Sequence, residues 1–366
     1  MDTTDKNSDK KRKRTLRVIL FILLGLIALC MVSTIVLYNY GMNFMEPAMA
    51  KVWQAGFKEK TFTTDGTTIN YVEGPDNGLP LLLIHGQLVQ WESYQLALPE
   101  LSQHFHVFAV DCHGHGKSSH EPEKYTARGI GADLAVFIEQ VIGEPAIVSG
   151  NSSGGLLAVW LAANSPQNVL GVVLEDPPLF SSEYPRIKDT AAWDTMETAH
   201  EFLMQTEEDE YLYYYLWNSG MMALLGNGRQ GIYNWSQAYR EKHPGELIEI
   251  FFFPLSIRMG TRGLQRYDPY FGQAFYDGSW NKDFDHAEAL SRVKCPAILM
   301  HANWFYDDNG ILMGAMSGED ADLAISLMSN ARLERVNSGH ATHIEDPELL
   351  IRNLIDFDKQ LQASGY

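Results

Sequence analysis

The chain has 366 residues, 45% hydrophobic and 20% charged, with a formal net charge of −18 at pH 7. That acidity argues against nucleic acid as a partner of the main body, and the length suffices for one large domain carrying an insertion. Three cysteines, Cys30, Cys112 and Cys295, are too few for a disulfide scaffold or a cysteine-based metal cluster.

Residues 1–17 hold Lys6, Lys10, Lys11, Arg12, Lys13, Arg14 and Arg17 against Asp2, Asp5 and Asp9, and residues 18–38 carry no charge. As a helix rising ~1.5 Å per residue, that apolar run reaches roughly 32 Å, enough to cross a hydrocarbon core. The basic tail predicts a cytoplasmic N-terminus, with the remaining chain outside. Ala48-Met49-Ala50 has the form of a signal-peptidase site, and Cys30 follows Ile27-Ala28-Leu29 in the manner of a lipobox. The first lies well beyond an apolar run longer than the ~7–15 residues of a signal segment. In the second, Leu29 is bulky and Cys30 sits mid-span, so an uncleaved transmembrane helix over residues 18–38 is expected. Removing the tail's seven cations and three anions from the chain's 28 and 46 leaves 21 against 43, a net −22 beyond Tyr38. Residues 39–60 read as a juxtamembrane linker.

The soluble part alternates strand-like and helix-like segments. Thr67–Glu73 alternates apolar and polar like a half-buried strand. Residues 80–84, 107–110, 146–148, 169–174 and 297–300 are short and almost wholly apolar, as in parallel strands buried on both faces, and residues 333–336 make a weaker last strand. Residues 126–142 place Ile130, Leu134, Phe137, Ile138 and Val141 on one helical stripe. A helix over 153–163 follows a glycine-rich turn, Ser317 and Asp320 cap a helix over 321–328, and Pro347 opens a C-terminal helix. This order predicts an α/β fold, a mostly parallel central sheet with helices on both faces, over residues 61–176 and 287–366. Residues 177–286 break the alternation. Their Tyr211, Tyr213, Tyr214, Tyr215, Trp217, Phe251, Phe252 and Phe253 suit a helical cap. The run 247–255 is too short to span a bilayer and is expected to pack on the core. Cys112 and Cys295 flank predicted strands and are expected as free thiols.

The chemistry concentrates at Gly150-Asn151-Ser152-Ser153-Gly154-Gly155, between the apolar run 146–148 and a helix-like segment. Strand, G-x-S-x-G and helix make the context of a nucleophile elbow, which stands Ser152 Oγ at a helix N-terminus. A serine needs a base to take its proton. His340, in the loop after the last predicted strand, is the candidate, with His343 as its rival. The base needs an acid, and Asp307 is the choice, with Asp308 and Asp176 as alternatives; Asp176, before Pro177-Pro178, otherwise reads as a hinge to the cap. The backbone N–H groups of Gln87 and Ser153 are the candidate oxyanion donors. His85 reads as a turn-packing residue. His113 and His115, in Asp111-Cys112-His113-Gly114-His115-Gly116-Lys117-Ser118, read as part of a structural turn, since no third ligand stands at metal-binding spacing.

Four segments in order, Leu83-Ile84-His85-Gly86 with Trp91, Asp111 to Ser118, Gly150 to Gly155, and Gly339-His340 with Glu345-Asp346-Pro347, resemble the α/β-hydrolase superfamily over about residues 61–361. The resemblance implies Ser152 as nucleophile, His340 as base, Asp307 as acid, and Gln87 and Ser153 as oxyanion donors. A serine at the elbow departs from the aspartate-nucleophile branches. Gly150-Asn151-Ser152 is similar to the elbow of some carbon–carbon bond hydrolases, yet the glycine-rich loop of those enzymes is missing after Gly86, and Ala302 replaces the glycine common after the penultimate strand.

The expected activity is a membrane-anchored serine hydrolase, esterase- or lipase-like, acting on a small-molecule acyl substrate through an acyl-enzyme, with no cofactor and no metal. Acyl transfer, amide or carbon–carbon bond hydrolysis on the same site is the alternative, and a non-catalytic ligand-binding domain is the second alternative.

Overall fold

The computed structural model describes residues 4–42, 45–250 and 253–363. Ten strands occur among them: β1 (Lys58–Thr64), β2 (Thr67–Glu73), β3 (Pro80–Ile84), β4 (His106–Val110), β5 (Ala146–Asn151), β6 (Val169–Glu175), β7 (Ala297–His301), β8 (Phe305–Tyr306), β9 (Leu312–Met313) and β10 (Ala331–Arg335). Eight form one sheet in the order β1-β2-β4-β3-β5-β6-β7-β10, and β8 and β9 pair as a separate hairpin. β1 and β2 run antiparallel to each other, β2 runs antiparallel to β4, and every neighbour from β4 to β10 is parallel.

The apolar runs are buried on both faces because successive side chains point to opposite sides. Leu82, Ile84, Val148, Val172, Leu174 and Leu299 join one core, with the helices Ala127–Phe137 and Ser153–Asn164 and part of the cap. Leu81, Leu83, Ile147, Val173, Ile298 and Met300 join the other, with the C-terminal helix Pro347–Ala363 and Trp91, Tyr94 and Leu98. Thr126 caps its helix by accepting from Gly129 N at 2.9 Å, and Ser317 and Asp320 form a reciprocal capping box.

Two segments differ from the sequence-based expectation. The expected linker, residues 39–60, holds the end of the helix Thr4–Met42, a second helix Met45–Gln54 and the start of β1. Val52 and Phe57 are buried in the second core, so this stretch belongs to the folded body. The expected 126–142 helix ends at Phe137 and continues as a wider turn over Ile138–Ile142, closed by Gly143 in a left-handed conformation. All three cysteines are free, Cys112 buried and Cys295 half-buried. The helix Thr4–Met42 is long and apolar enough to cross a membrane, and its residues 10–40 are exposed.

Between β6 and β7 the chain forms the helices Trp193–Met204, Tyr211–Asn218, Gly220–Ala223, Gly228–Lys242, Leu255–Gly263 and Pro269–Tyr276 over the carboxyl edge of the sheet's strands. Tyr211, Tyr213 and Tyr215 pack inward, as do Ile248 and Ile250, whereas Phe251 and Phe252 lie outside the described residues. Leu83→Ala, at a fully buried position, is expected to cost about 2–5 kcal/mol; a urea midpoint equivalent to under ~1 kcal/mol of loss contradicts this packing.

Candidate active site

The elbow forms at the end of β5. Ser152 has φ 54° and ψ −122°, a conformation that costs a non-glycine residue of order 1–3 kcal/mol and persists only where the surroundings enforce it. They do so by close approach. A Cβ on Gly150 would lie 2.2 Å from Gly154 O, and one on Gly154 would lie 2.2 Å from Ile84 O. Ser152 N donates to Glu175 O at 3.0 Å, tying the turn to the end of β6. Ser153 then opens the helix Ser153–Asn164, whose first amides have no intrahelical acceptor.

His340 stands over this edge. Its Nδ1 lies 2.7 Å from Asp176 Oδ2, and its own carbonyl accepts from Asn151 Nδ2 at 2.8 Å. The Asp176 side chain is 3% exposed and that of His340 is 47% exposed, so the carboxylate is sealed while the ring opens on the cleft. Asp176 is held in turn: its Oδ1 accepts from Ala302 N at 3.1 Å and its N donates to Met300 O at 2.9 Å. Partial desolvation pushes the His340 imidazole down, but the hydrogen bond and charge of Asp176, aided by Glu175 and Glu345, outweigh it, and its pKa is raised above the ordinary 6.5.

The expected pairing of His340 with Asp307 is therefore corrected. Asp307 lies in the β8–β9 turn, where its carboxylate accepts from Asn309 N at 2.9 Å and Ile311 N at 2.8 Å. These bonds, first that from Ile311, hold it below the usual carboxylate range in a local role. Asp308, next to it, is not brought to His340 either; Asp176, the alternative read as a hinge, takes the place. One signal could have found it: Asp176 follows the last residue of β6 directly, at the carboxyl edge of the sheet, whereas Asp307 stands six residues beyond β7. Asp176 has φ 46°, which aspartate tolerates better than most side chains.

Gln87 and Ser153 both border the cavity, and among the described residues neither backbone N–H has a backbone acceptor outside it. The Gln87 side chain accepts from Tyr267 Oη at 3.1 Å. Cys112 N donates to His85 Nε2 at 3.0 Å, so the His85 proton sits on Nδ1 and is donated to Gly86 O at 2.7 Å. Burial pushes its pKa down to about 4, and it stays neutral while fixing the loop before Gln87. His113 pairs with Asp133 at 2.8 Å, and the ring of His115 packs on Tyr267 and Phe271 beneath the cap. Asp111 ties its turn together by accepting from Trp91 N, Lys117 N and Asn70 Nδ2.

Ser152 and His340 share a two-lobed cavity of about 350 Å³ per lobe, within the range of small-molecule sites. Among the described residues no hydrogen bond runs directly from Ser152 to His340; such bonds are often loose before substrate closes the site. A larger open groove of about 860 Å³, between Arg128 and Arg292, is lined by charged side chains and touches none of these residues.

His343, the rival base, turns into the core instead. Its N and Nδ1 both lie 2.8 Å from Glu175 Oε1, its Nε2 lies 3.1 Å from Ser93 Oγ, and its ring stacks on Tyr94 at 4.2 Å. Both side chains are fully sealed from solvent. Consecutive residues at the end of β6 thus fasten the histidine loop twice, Glu175 through His343 and Asp176 through His340. The sequence reading missed Glu175, since a glutamate at a strand end reads as solvated. Removing the imidazole strips the sealed Glu175 carboxyl of a side-chain partner, so His343→Leu is expected to cost about 3–5 kcal/mol by urea unfolding; a cost under ~1 kcal/mol contradicts a structural role for the pair.

The Alpha/beta hydrolase family model matches residues 81–353. Over 101 residues the chain is 35% identical to 2-hydroxymuconate semialdehyde hydrolase of Pseudomonas sp. (strain CF600), covering 26% of this chain and 36% of that one. Over 106 residues it is 29% identical to pimeloyl-[acyl-carrier protein] methyl ester esterase of Nitrosospira multiformis, covering 28% and 40%. The match thus spans about two fifths of the length of these curated relatives. A solved hydrolase from Pseudomonas aeruginosa PA01 superposes with a TM-score of 0.57 at 22% identity, over 83% of this chain and 98% of that one. With the parallel sheet, the strained serine turn and a family match across most of its length, the chain belongs to the alpha/beta hydrolase family.

Proposed function

We propose that this protein is a membrane-anchored serine hydrolase that cleaves a carboxylic ester through an acyl-enzyme on Ser152. The observation that carries the reading is the 2.7 Å Asp176–His340 contact beside the cavity that Ser152 also lines. His340 Nε2 takes the Ser152 proton as Oγ attacks the ester carbonyl, and the Gln87 and Ser153 N–H groups receive the oxyanion. Asp176 fixes the tautomer and stabilises the imidazolium, which then protonates the leaving alcohol. Water, activated by the same imidazole, releases the acid. Every proton is carried by the chain's own groups or by water. The methyl ester esterase among the relatives is in keeping with this substrate class. The apolar helix Thr4–Met42 supports the anchor, and the basic tail before it supports a cytoplasmic N-terminus with the catalytic domain outside.

Initial rates on p-nitrophenyl butyrate test the assignment of roles. Ser152→Ala and Asp176→Asn are each expected to lower kcat/KM by about 10³-fold or more, while Asp307→Asn stays within about twofold. An active Asp176→Asn variant, or a dead Asp307→Asn variant, overturns the choice of acid.

The pH profile carries an independent expectation. Catalysis needs neutral His340, whose pKa is raised by Asp176 against partial desolvation. As pH falls, kcat/KM should therefore start to drop above the imidazole's ordinary value of about 6.5. Asp176→Asn, measured on its residual activity, should move that limb to lower pH. A wild-type limb below the ordinary imidazole value contradicts the sign.

A further inference from the structure

The end of the apolar helix is fastened to the wall of the cavity. Gly41 is buried, and its carbonyl accepts from Arg258 Nη2. Arg258 lies on the helix Leu255–Gly263, whose Ser256, Ile257 and Gly260 line one lobe of the cavity. The following helix, Met45–Gln54, docks beside it. Gln95 Nε2 donates to Met45 Sδ at 3.0 Å and reaches Met259 Sδ at 3.6 Å. Met45, Met259 and Ile344 form an apolar cluster with Val89, Leu255 and Ala341 packed around it. Val89, Ala341 and Ile344 also line the cavity that holds Ser152 and His340. A single layer of side chains therefore separates the docked end of the apolar helix from the candidate nucleophile's cavity.

Two more observations bear on what enters. Tyr40 and Trp53, on either side of the helix junction, are exposed, as aromatic residues at a membrane–water interface are. Met221, on the rim of both lobes, is exposed, and Leu224 one turn on is 88% exposed, an apolar tip beside the cavity mouth. The lobes are lined by Leu88, Val89, Met196, Ile257 and Leu264 among others, and among the described residues no Lys or Arg borders them. A phosphate or carboxylate headgroup would find no lysine or arginine there to pair with, and would meet Glu345 on the lining.

Resting on the serine-hydrolase and anchor readings above, we propose that the cavity draws an uncharged fatty acyl ester directly from the bilayer interface. The acyl chain occupies the apolar lobe and the ester carbonyl meets Ser152. One water is consumed: its oxygen ends on the released fatty acid, and its two protons are shared between the acid and the alcohol. Docking the span onto the cap sets the cavity at the height of the interface, so the substrate reaches Ser152 without passing through water.

The full-length protein, reconstituted in phosphatidylcholine vesicles, tests this with 4-methylumbelliferyl oleate in the bilayer against 4-methylumbelliferyl butyrate in solution. Two variants are compared with wild type: twelve Gly/Ser residues inserted after Met42, which lets the body lift off, and Leu224→Glu. Each is expected to lower oleate turnover at least fivefold while butyrate turnover stays within twofold. Oleate and butyrate turnover unchanged in both variants, or reduced equally, overturns the interfacial route. Butyrate turnover without oleate turnover by wild type also overturns it while leaving the hydrolase reading intact, whereas turnover of neither ester sinks the hydrolase reading itself.

Discussion

The buried carboxylate of Asp176 is the point on which the site depends. One oxygen holds the ring of His340, and the other accepts from the backbone of Ala302 at the end of the neighbouring strand. A sealed carboxylate with both oxygens satisfied is a fixed charge in a poor dielectric, and it fixes the position of the imidazole as well as its proton affinity. Asn151 holds the same loop from the other side through the carbonyl of His340, and Asn151 immediately precedes the strained serine. The placing of the candidate base over the candidate nucleophile thus starts from two adjacent parallel strands, β5 and β6.

The sheet explains why this is possible. β5 and β6 are central and buried on both faces, and their register brings Asn151 opposite Glu175. The serine turn and the candidate acid therefore leave the sheet side by side. The strain at Ser152 is held by that register together with the close approach of Gly150 to Gly154 and of Gly154 to Ile84. Glu175 contributes from both ends: its carbonyl holds the serine turn and its carboxylate holds His343, one turn beyond His340. Two acids in sequence thus serve two histidines, one at the cavity and one in the core.

Much of this was legible before the fold was seen. The short apolar runs gave the central strands because strands buried on both faces need no polar side, and the glycines around Ser152 gave the elbow because little else fits there. Gly339-His340 marked the loop after the last strand that carries the candidate base. The acid was not legible in the same way. Its position depends on which strand end faces the histidine, and Asp176 beside two prolines reads as a hinge, which leaves Asp307 in a long loop as the choice. Pairing across β6 and β7, which brings Ala302 N–H to Asp176, is a long-range fact that local pattern does not carry. The docking of residues 45–57 was missed for a related reason: Val52 and Phe57 are too few to announce a core element, and they acquire partners only when Trp91 and Leu98 are brought beside them.

The most direct test of the central claim is covalent. Full-length protein treated with a fluorophosphonate, digested and mapped by mass spectrometry should carry the adduct on Ser152, and Asp176→Asn should slow its formation strongly. A folded protein that remains unlabelled, or whose adduct lies on another serine such as Ser93, would contradict the activated nucleophile at this turn.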